Sequence, residues 1–346
     1  MMPSMSLRRC TIAIVTSAML ALSSPTGPGT AQAPGSFAGQ IAALSEPGGY
    51  FDTDNLISNE RSYLQVISDL QRAGVRGGVY IGVGPDQNFS YIAHIRPAMA
   101  FIVDIRRDNL LLHLLFKALF AEARTRVEYL ALLLDRPVPQ PLDEWREEGI
   151  GRLVAYIDGA PVGREPVDAL RLRFDGLVTR FGVALSADDL ATIDRFHRRF
   201  IDAGLGLRFQ SAGRPPQSHY PTYRELLLET DANGQQRSFL ATEESFQFVK
   251  SLHARDRIVP VVGDLSGPKS LVAVGRLLNE KGERLSAFYT SNVEFYLERA
   301  GTYGRFVNNL SSIPRTPQAV VIRSIFGRFD GGSTSVIQPV DEMLGR

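Results

Sequence analysis

Two glycines and an acid define the chemistry this chain can do. Gly82 and Gly84 follow the short apolar run Val79-Tyr80-Ile81, and Asp104 closes a second run, Met99-Ala100-Phe101-Ile102-Val103. Glycines there let the backbone turn sharply and approach a ligand closely. The amphipathic segment Gln87 to Ile95, closed by Pro97, predicts a helix. Its unpaired N-terminal N–H groups and partial positive charge suit an anion. An acid about twenty residues after the glycines stands where a ribose hydroxyl is held in a nucleotide site. Asp86 replaces the third glycine of the usual pattern.

Other polar residues collect at the carboxyl ends of the expected strands, where ligands gather in an open α/β sheet. The first strand offers Gly82, Gly84, Gln87 and Asn88, and the second Asp104, Arg106 and Arg107. Later strands offer Asp264 and Ser266, then Tyr289, Ser291 and Asn292. Together they predict a small-molecule pocket. Each residue also has a plainer use. Asp104 can cap the next turn, Arg106 and Arg107 can pair with nearby acids, and Asn59 can cap a helix. Tyr63 suits a core position and Glu60 a place folded over a ligand. His113 and Lys117, four apart on one helix, have no acid at that spacing and suit packing or surface roles. The other histidines are scattered, and no pair has the spacing of a metal site on a helix. There is no GxSxG, HExxH or GxxxxGK[ST] motif.

The elements that must position these residues alternate. A helix is expected over 60–73, then strand, helix and strand over 79–104, within about thirty residues, the size of a βαβ unit. A long, largely buried helix follows to about Leu134, stopped by Pro137, Pro139 and Pro141. Residues 142–215 break the alternation with charged helices at 167–181 and 187–204. The alternation resumes with helix 242–254, strand 257–262, helix 269–279, strand 285–289, helix 293–300 and a last strand at 319–325. The fold class expected is α/β: Rossmann-like, a mostly parallel sheet flanked by helices, with a helical insertion. The expected segments are a signal peptide at 1–33, a flexible lead-in at 34–50, the first part of the domain at 51–141, the insertion at 142–215, the second part at 216–330 and a tail at 331–346.

With 346 residues and 44% hydrophobic content, the chain can bury a substantial core. Its 38 basic and 37 acidic residues give no bulk field for nucleic acid or a membrane surface. Arg8-Arg9, the apolar stretch Cys10 to Leu22 and Ala31-Gln32-Ala33 fit an export signal, and Cys10 to Leu22 is short for a membrane span. The expected location is therefore periplasmic or secreted, and cytoplasmic if that segment is not a signal. Cleavage after Ala33 would remove two arginines and the one cysteine. The mature chain would then lack disulfides and thiolate ligands.

The stretches YIGVGPDQNFSYIA, AFIVDIRRDNLLLHLLFKALF, VPVVGDLSGPKSL and AFYTSNVEFYL resemble an uncharacterised bacterial protein family, over roughly residues 50–330. The resemblance implies a fold similar to class I S-adenosylmethionine-dependent methyltransferases. It implies that Val79 to Asp86 is the glycine motif, Asp104 the ribose-binding acid and Asp264 the acid on the adenine side. Tyr80 stands where that pattern has an acid, and Tyr289-Thr290-Ser291-Asn292 where it has Asn-Pro-Pro-Tyr. The functional expectation is a methyltransferase-like protein binding S-adenosylmethionine or a related nucleoside, with Glu60, Tyr289 or Asn292 orienting an acceptor. A non-catalytic exported protein using the same pocket is the alternative, because the cofactor is made in the cytoplasm. An NAD(P)-dependent oxidoreductase, with Arg106 or Arg107 at a 2′-phosphate, is the third.

Overall fold

The computed structural model describes residues 35–53, 55–163, 167–211, 214–215, 217–326 and 333–345. The expected export segment lies outside them. Six strands form one sheet in the order β3-β2-β1-β4-β5-β6. They are β1 (Val79–Gly82), β2 (Met99–Asp104), β3 (Ile258–Val262), β4 (Leu285–Ser291), β5 (Arg315–Phe326) and β6 (Ser333–Pro339). All neighbouring pairs are parallel except β5 and β6. The chain moves from β1 outward to β2 and β3, then returns to place β4 on the other side of β1. The switch point of this α/β sheet therefore lies between β1 and β4, and the mostly parallel sheet flanked by helices is the one expected from the strand pattern, compatible with a Rossmann-like fold.

The helices are α1 (Phe37–Leu44), α2 (Ile67–Arg72), α3 (Gln87–Ile95), α4 (Arg107–Glu122), α5 (Arg126–Leu133), α6 (Ile150–Gly159) and α7 (Val167–Thr179). Then come α8 (Ala187–Ala203), α9 (Tyr223–Leu228), α10 (Glu243–Ala254), α11 (Ser270–Lys281), α12 (Val293–Arg299), α13 (Tyr303–Ser311) and α14 (Val340–Met343). Helices α3, α4 and α10 pack on one another, and α1, α11 and α13 form a second group. Every residue from Asn109 to Phe120 of α4 is buried. Strands β2 and β3, α10, and α7 and α8 of the insertion all pack on this helix, which explains why it is apolar all round.

Four expectations need adjustment, the first being the helix expected over 60–73, which is a short 3-10 turn at Arg61–Leu64 followed by α2. The long helix is two, because the Thr125 hydroxyl accepts from Glu128 N and starts α5 anew. The lead-in contains α1, capped by Ser36 and burying Phe37, Ile41 and Leu44. The tail contains β6 and α14. Strand β6 pairs along β5 from Val320 to Phe326, and its polar sequence reflects an edge position. Among the described residues, no helix is long and apolar enough to cross a membrane.

Candidate functional site

Strand β1 ends at Gly82 because a side chain has no room there. A Cβ would lie 1.9 Å from Asn88 Oδ1 and 2.7 Å from Tyr80 Oη. Gly84 has φ +78°, a conformation that suits glycine. Asn88 opens α3 and is fully buried. Its Nδ2 donates to the carbonyls of Val83 (2.8 Å), Gly84 (3.3 Å) and Pro85 (2.7 Å), and its Oδ1 accepts from Tyr80 Oη at 2.7 Å. Asn88 therefore holds the turn, and Tyr80 holds Asn88. From α4, His113 Nε2 lies 2.9 Å from Gly84 O. Burial pushes its pKa down to about 4, so the neutral ring donates from Nε2. His113 Nδ1, Gln87 Oε1 and both amide atoms of Asn109 are buried with no hydrogen-bond partner among the described residues. Asn109 precedes His113 by one turn on the same helix face. Gln87 Nε2 donates to Tyr289 Oη at 3.3 Å.

Asp86, in the third-glycine position, accepts from Tyr223 Oη at 2.8 Å. Burial raises its pKa to about 7. As pH rises from the ordinary aspartate range to about 7, the unfolded chain gives up this proton while the folded chain keeps it. Stability is thereby lost at up to about 1.4 kcal/mol per pH unit, and no more is lost above pH 7. Asp86→Asn cannot titrate. In urea titrations it should gain on the wild type by about 3 kcal/mol between pH 5 and pH 8. Parallel pH profiles of the two proteins would refute this.

Asp104 ends β2 with both carboxylate oxygens engaged by Arg106. Oδ1 accepts from Arg106 N (2.9 Å) and Nε (3.1 Å), and Oδ2 from Nη2 (2.9 Å). Both side chains are about one-tenth exposed, at 11% and 7%. Arg106 Nη1 also donates to Thr53 O at 3.1 Å. The pairing of Arg106 with a nearby acid is thus the arrangement found. Arg107 is held by Asp189 of α8 at 2.8 and 2.9 Å. Its guanidinium brings the Asp189 pKa down to about 2. Asp264 follows β3 and accepts from Ser266 N (2.8 Å) and Oγ (2.9 Å), closing its own turn. His113 and Lys117 are buried, and Lys117 pairs with Asp256 at 2.6 Å.

Residues 45–53 and 55–60 run over these strand ends as a strap, in the spatial order of the strands. Ser45 Oγ accepts from Val262 N (3.1 Å) and Glu46 N donates to Val262 O (2.9 Å), at β3. Glu46 Oε1 accepts from Asp264 N at 2.8 Å. Gly49 N donates to Ile105 O at 2.7 Å, just past β2. Asn55 Nδ2 comes to 3.3 Å from where a Cβ on Gly84 would sit, beside β1. Glu60 reaches β4 and β5, where its carboxyl accepts from Tyr289 Oη (2.8 Å) and from the hydroxyls of Ser291 and Ser324. Sequence reading proposed Glu60 and Tyr289 but missed Ser324 and the strap.

Two clefts flank the strap. One of about 670 Å³ is lined by Gly48, Phe51, Arg106, Arg107, Asp108 and Arg199 and opens at the first turn of α4. The other, about 330 Å³, is lined by Ser291, Asn292, Phe295, Tyr296, Arg323 and Ile325. Of the residues read from sequence, Arg106 and Arg107 line the first cleft and Ser291 and Asn292 the second. Gln87, Asn88 and Tyr289 lie buried between the sheet ends and the strap. Among the described residues, no group of three or more His, Cys, Asp or Glu is placed to hold a metal ion.

No curated protein matches the chain. The family model described as Domain of unknown function (DUF7790) matches residues 55–138 and 211–339. The matched parts contain Glu60, the glycine turn, Asp104, Asp264 and the β4 end. The gap between them corresponds closely to the helical insertion, which supplies Asp189 and Arg199. The match spans more than half of the sequence, and the chain belongs to the DUF7790 family.

Proposed function

We propose that this protein binds a nucleoside-type small molecule, S-adenosylmethionine or a relative with a carboxylate or phosphate end, on a methyltransferase-like framework. The observation that carries this reading is the cleft of about 670 Å³ beyond the carboxyl end of β2, at the first turn of α4. Its size is that of a ligand site, and it lies where open α/β sheets bind ligands. Arg199 and the first turn of α4 line it, which favours an anionic group. The buried, unpartnered polar atoms of Gln87, Asn109 and His113 near the glycine turn add support.

Binding without methyl transfer is the reading the geometry favours. Glu60, Tyr289 and Asn292, the candidates for orienting an acceptor, do not line this cleft. An NAD(P) oxidoreductase is the weakest reading, since Arg106 and Arg107 are both paired with acids. Export through residues 1–33 belongs to the binding-protein reading, and a secreted reporter fused to that segment tests it.

The direct test is thermal unfolding of the full chain with S-adenosylmethionine, S-adenosylhomocysteine and NADPH. At a hundredfold excess over Kd, a ligand that binds only the folded state adds about 2.7 kcal/mol. For a chain of this size the midpoint should rise by roughly 5 °C. The adenosyl compounds should give that rise, NADPH should not, and Arg199→Gln should weaken binding about tenfold with the unliganded midpoint nearly unchanged. No rise with either adenosyl compound would refute the reading.

A further inference from the structure

The second cleft holds a different constellation. Ser291 is the last residue of β4 and begins the turn into α12, with φ +53°. Among the described non-glycine residues, the other positive φ values fall on Asn55, Asp135, Asp256 and Arg96, the last being the C-cap of α3. Asn and Asp tolerate that conformation and a helix C-cap calls for it, whereas serine at a strand-to-helix junction has neither reason. Backbone strain of this kind gathers at functional sites, and a nucleophilic serine at a sharp strand-to-helix turn is one known use.

The side chains around Ser291 fit that use. Its Oγ donates to Oε1 of Glu60. The other oxygen, Oε2, accepts from Tyr289 Oη at 2.8 Å and from Ser324 Oγ. These two donors fix the carboxylate so that its free edge faces Ser291. Glu60 is 1% exposed, and burial raises its pKa above the ordinary carboxyl range, which makes its ionised form a stronger base. Asn292 lines the same cleft, and its Oδ1 lies 3.3 Å from Ser291 Oγ. Phe295 and Ile325, each about half exposed, form apolar walls.

We infer that Ser291 is a nucleophile, that Glu60 is its general base, and that this cleft accepts esters with a small apolar acyl group. The Oγ–carbon bond forms at the ester carbonyl while the hydroxyl proton passes to Glu60 Oε1. The carbonyl electron pair moves onto oxygen; Asn292, whose Oδ1 faces Ser291 Oγ in the free protein, presents Nδ2 to that oxygen once its amide rotates. Collapse breaks the carbon–oxygen bond to the leaving alcohol, which takes the proton from Glu60. Water then attacks the acyl-serine and gives its proton to Glu60. The acyl–Oγ bond breaks and Ser291 recovers the proton. One ester and one water yield one acid and one alcohol. This activity requires no cofactor and does not depend on the nucleoside reading.

The test uses an alkyl fluorophosphonate, which forms a phosphorus–oxygen bond to an activated serine and expels fluoride. Intact mass and peptide mapping of the treated full chain should show one adduct, on Ser291. The adduct should be absent in Ser291→Ala, and its rate of formation should fall about 100-fold or more in Glu60→Gln. Asn292→Ala lies outside the buried cluster and serves as the second variant. It should slow p-nitrophenyl acetate turnover by about 100-fold. An unlabelled wild type would overturn the proposal. So would an adduct that Ser291→Ala retains, or a folded Glu60→Gln protein labelled at the wild-type rate.

Discussion

Gly82→Ala should cost about 4 kcal/mol or more of folding free energy, enough to leave the protein marginal at 37 °C. The added methyl carbon would sit 1.9 Å from Asn88 Oδ1, and one of the two must move. Asn88 has no slack, since its amide is tied to three carbonyls of the turn and to Tyr80. Overpacking accounts for roughly 1–3 kcal/mol, and each buried group left without a partner adds about 1–3 more. Gly84→Ala is the informative comparison. There the nearest atoms are the tips of the Asn55 and Gln87 side chains, at 3.3 Å. The main cost is the left-handed backbone, about 1–2 kcal/mol. Urea titrations should therefore rank Gly82→Ala as the more damaging change by a factor of about two or more in free energy. Equal losses, or a Gly82→Ala protein within 1 kcal/mol of wild type, would show that the turn is not held as described.

Arg106→Ala should destabilise the fold by about 3–5 kcal/mol. It leaves the Asp104 carboxylate, 11% exposed, with only the Arg106 backbone N–H as donor among the contacts described. It also removes the tie from Arg106 to Thr53 O in the strap. Asp104→Ala should cost a similar amount, because it takes the carboxylate away from a buried guanidinium. The double variant Asp104→Leu with Arg106→Met should recover much of either loss, since an apolar pair of similar volume needs no compensating charge. Additive losses in this double-mutant cycle would contradict a coupled pair. The result also bears on ligand binding. A ligand effect that vanishes in Asp104→Ala counts against direct contact if the unliganded protein has itself lost several kcal/mol.

The parts of the fold that were legible in the sequence depend on short-range pattern. The runs Val79–Gly82 and Met99–Asp104, separated by a helical period, specify two parallel strands and α3 with no distant information. Asp104 and Arg106 are two residues apart, and their pairing was among the readings weighed. The break between α4 and α5 was written as Thr125 with Glu128 three residues on, a capping signal hidden inside an apolar run. Other features have no local signature. Lys117 has no acid three or four residues away on its own helix, and its partner, Asp256, lies 139 residues away. Glu46 and Gly49 look like ordinary loop residues, and only the assembled sheet gives them something to bind. Ser291 carries none of the glycines that flag a nucleophilic serine, so its backbone conformation had to be seen.

The strap also bears on how the chain assembles. It precedes in sequence every strand it touches, and the hydroxyl of Ser324 that meets Glu60 comes 264 residues later. A growing chain makes the strap first and its seat last. Until β4 and β5 exist, the Glu60 carboxylate has neither Ser291 nor Ser324 and is better served by water than by burial. Closing so long a loop costs entropy that only the finished sheet can offset. The strap is thus a late arrival whose docking marks the completion of all five parallel strands, and a chain that stops short of β5 leaves it without a place to end.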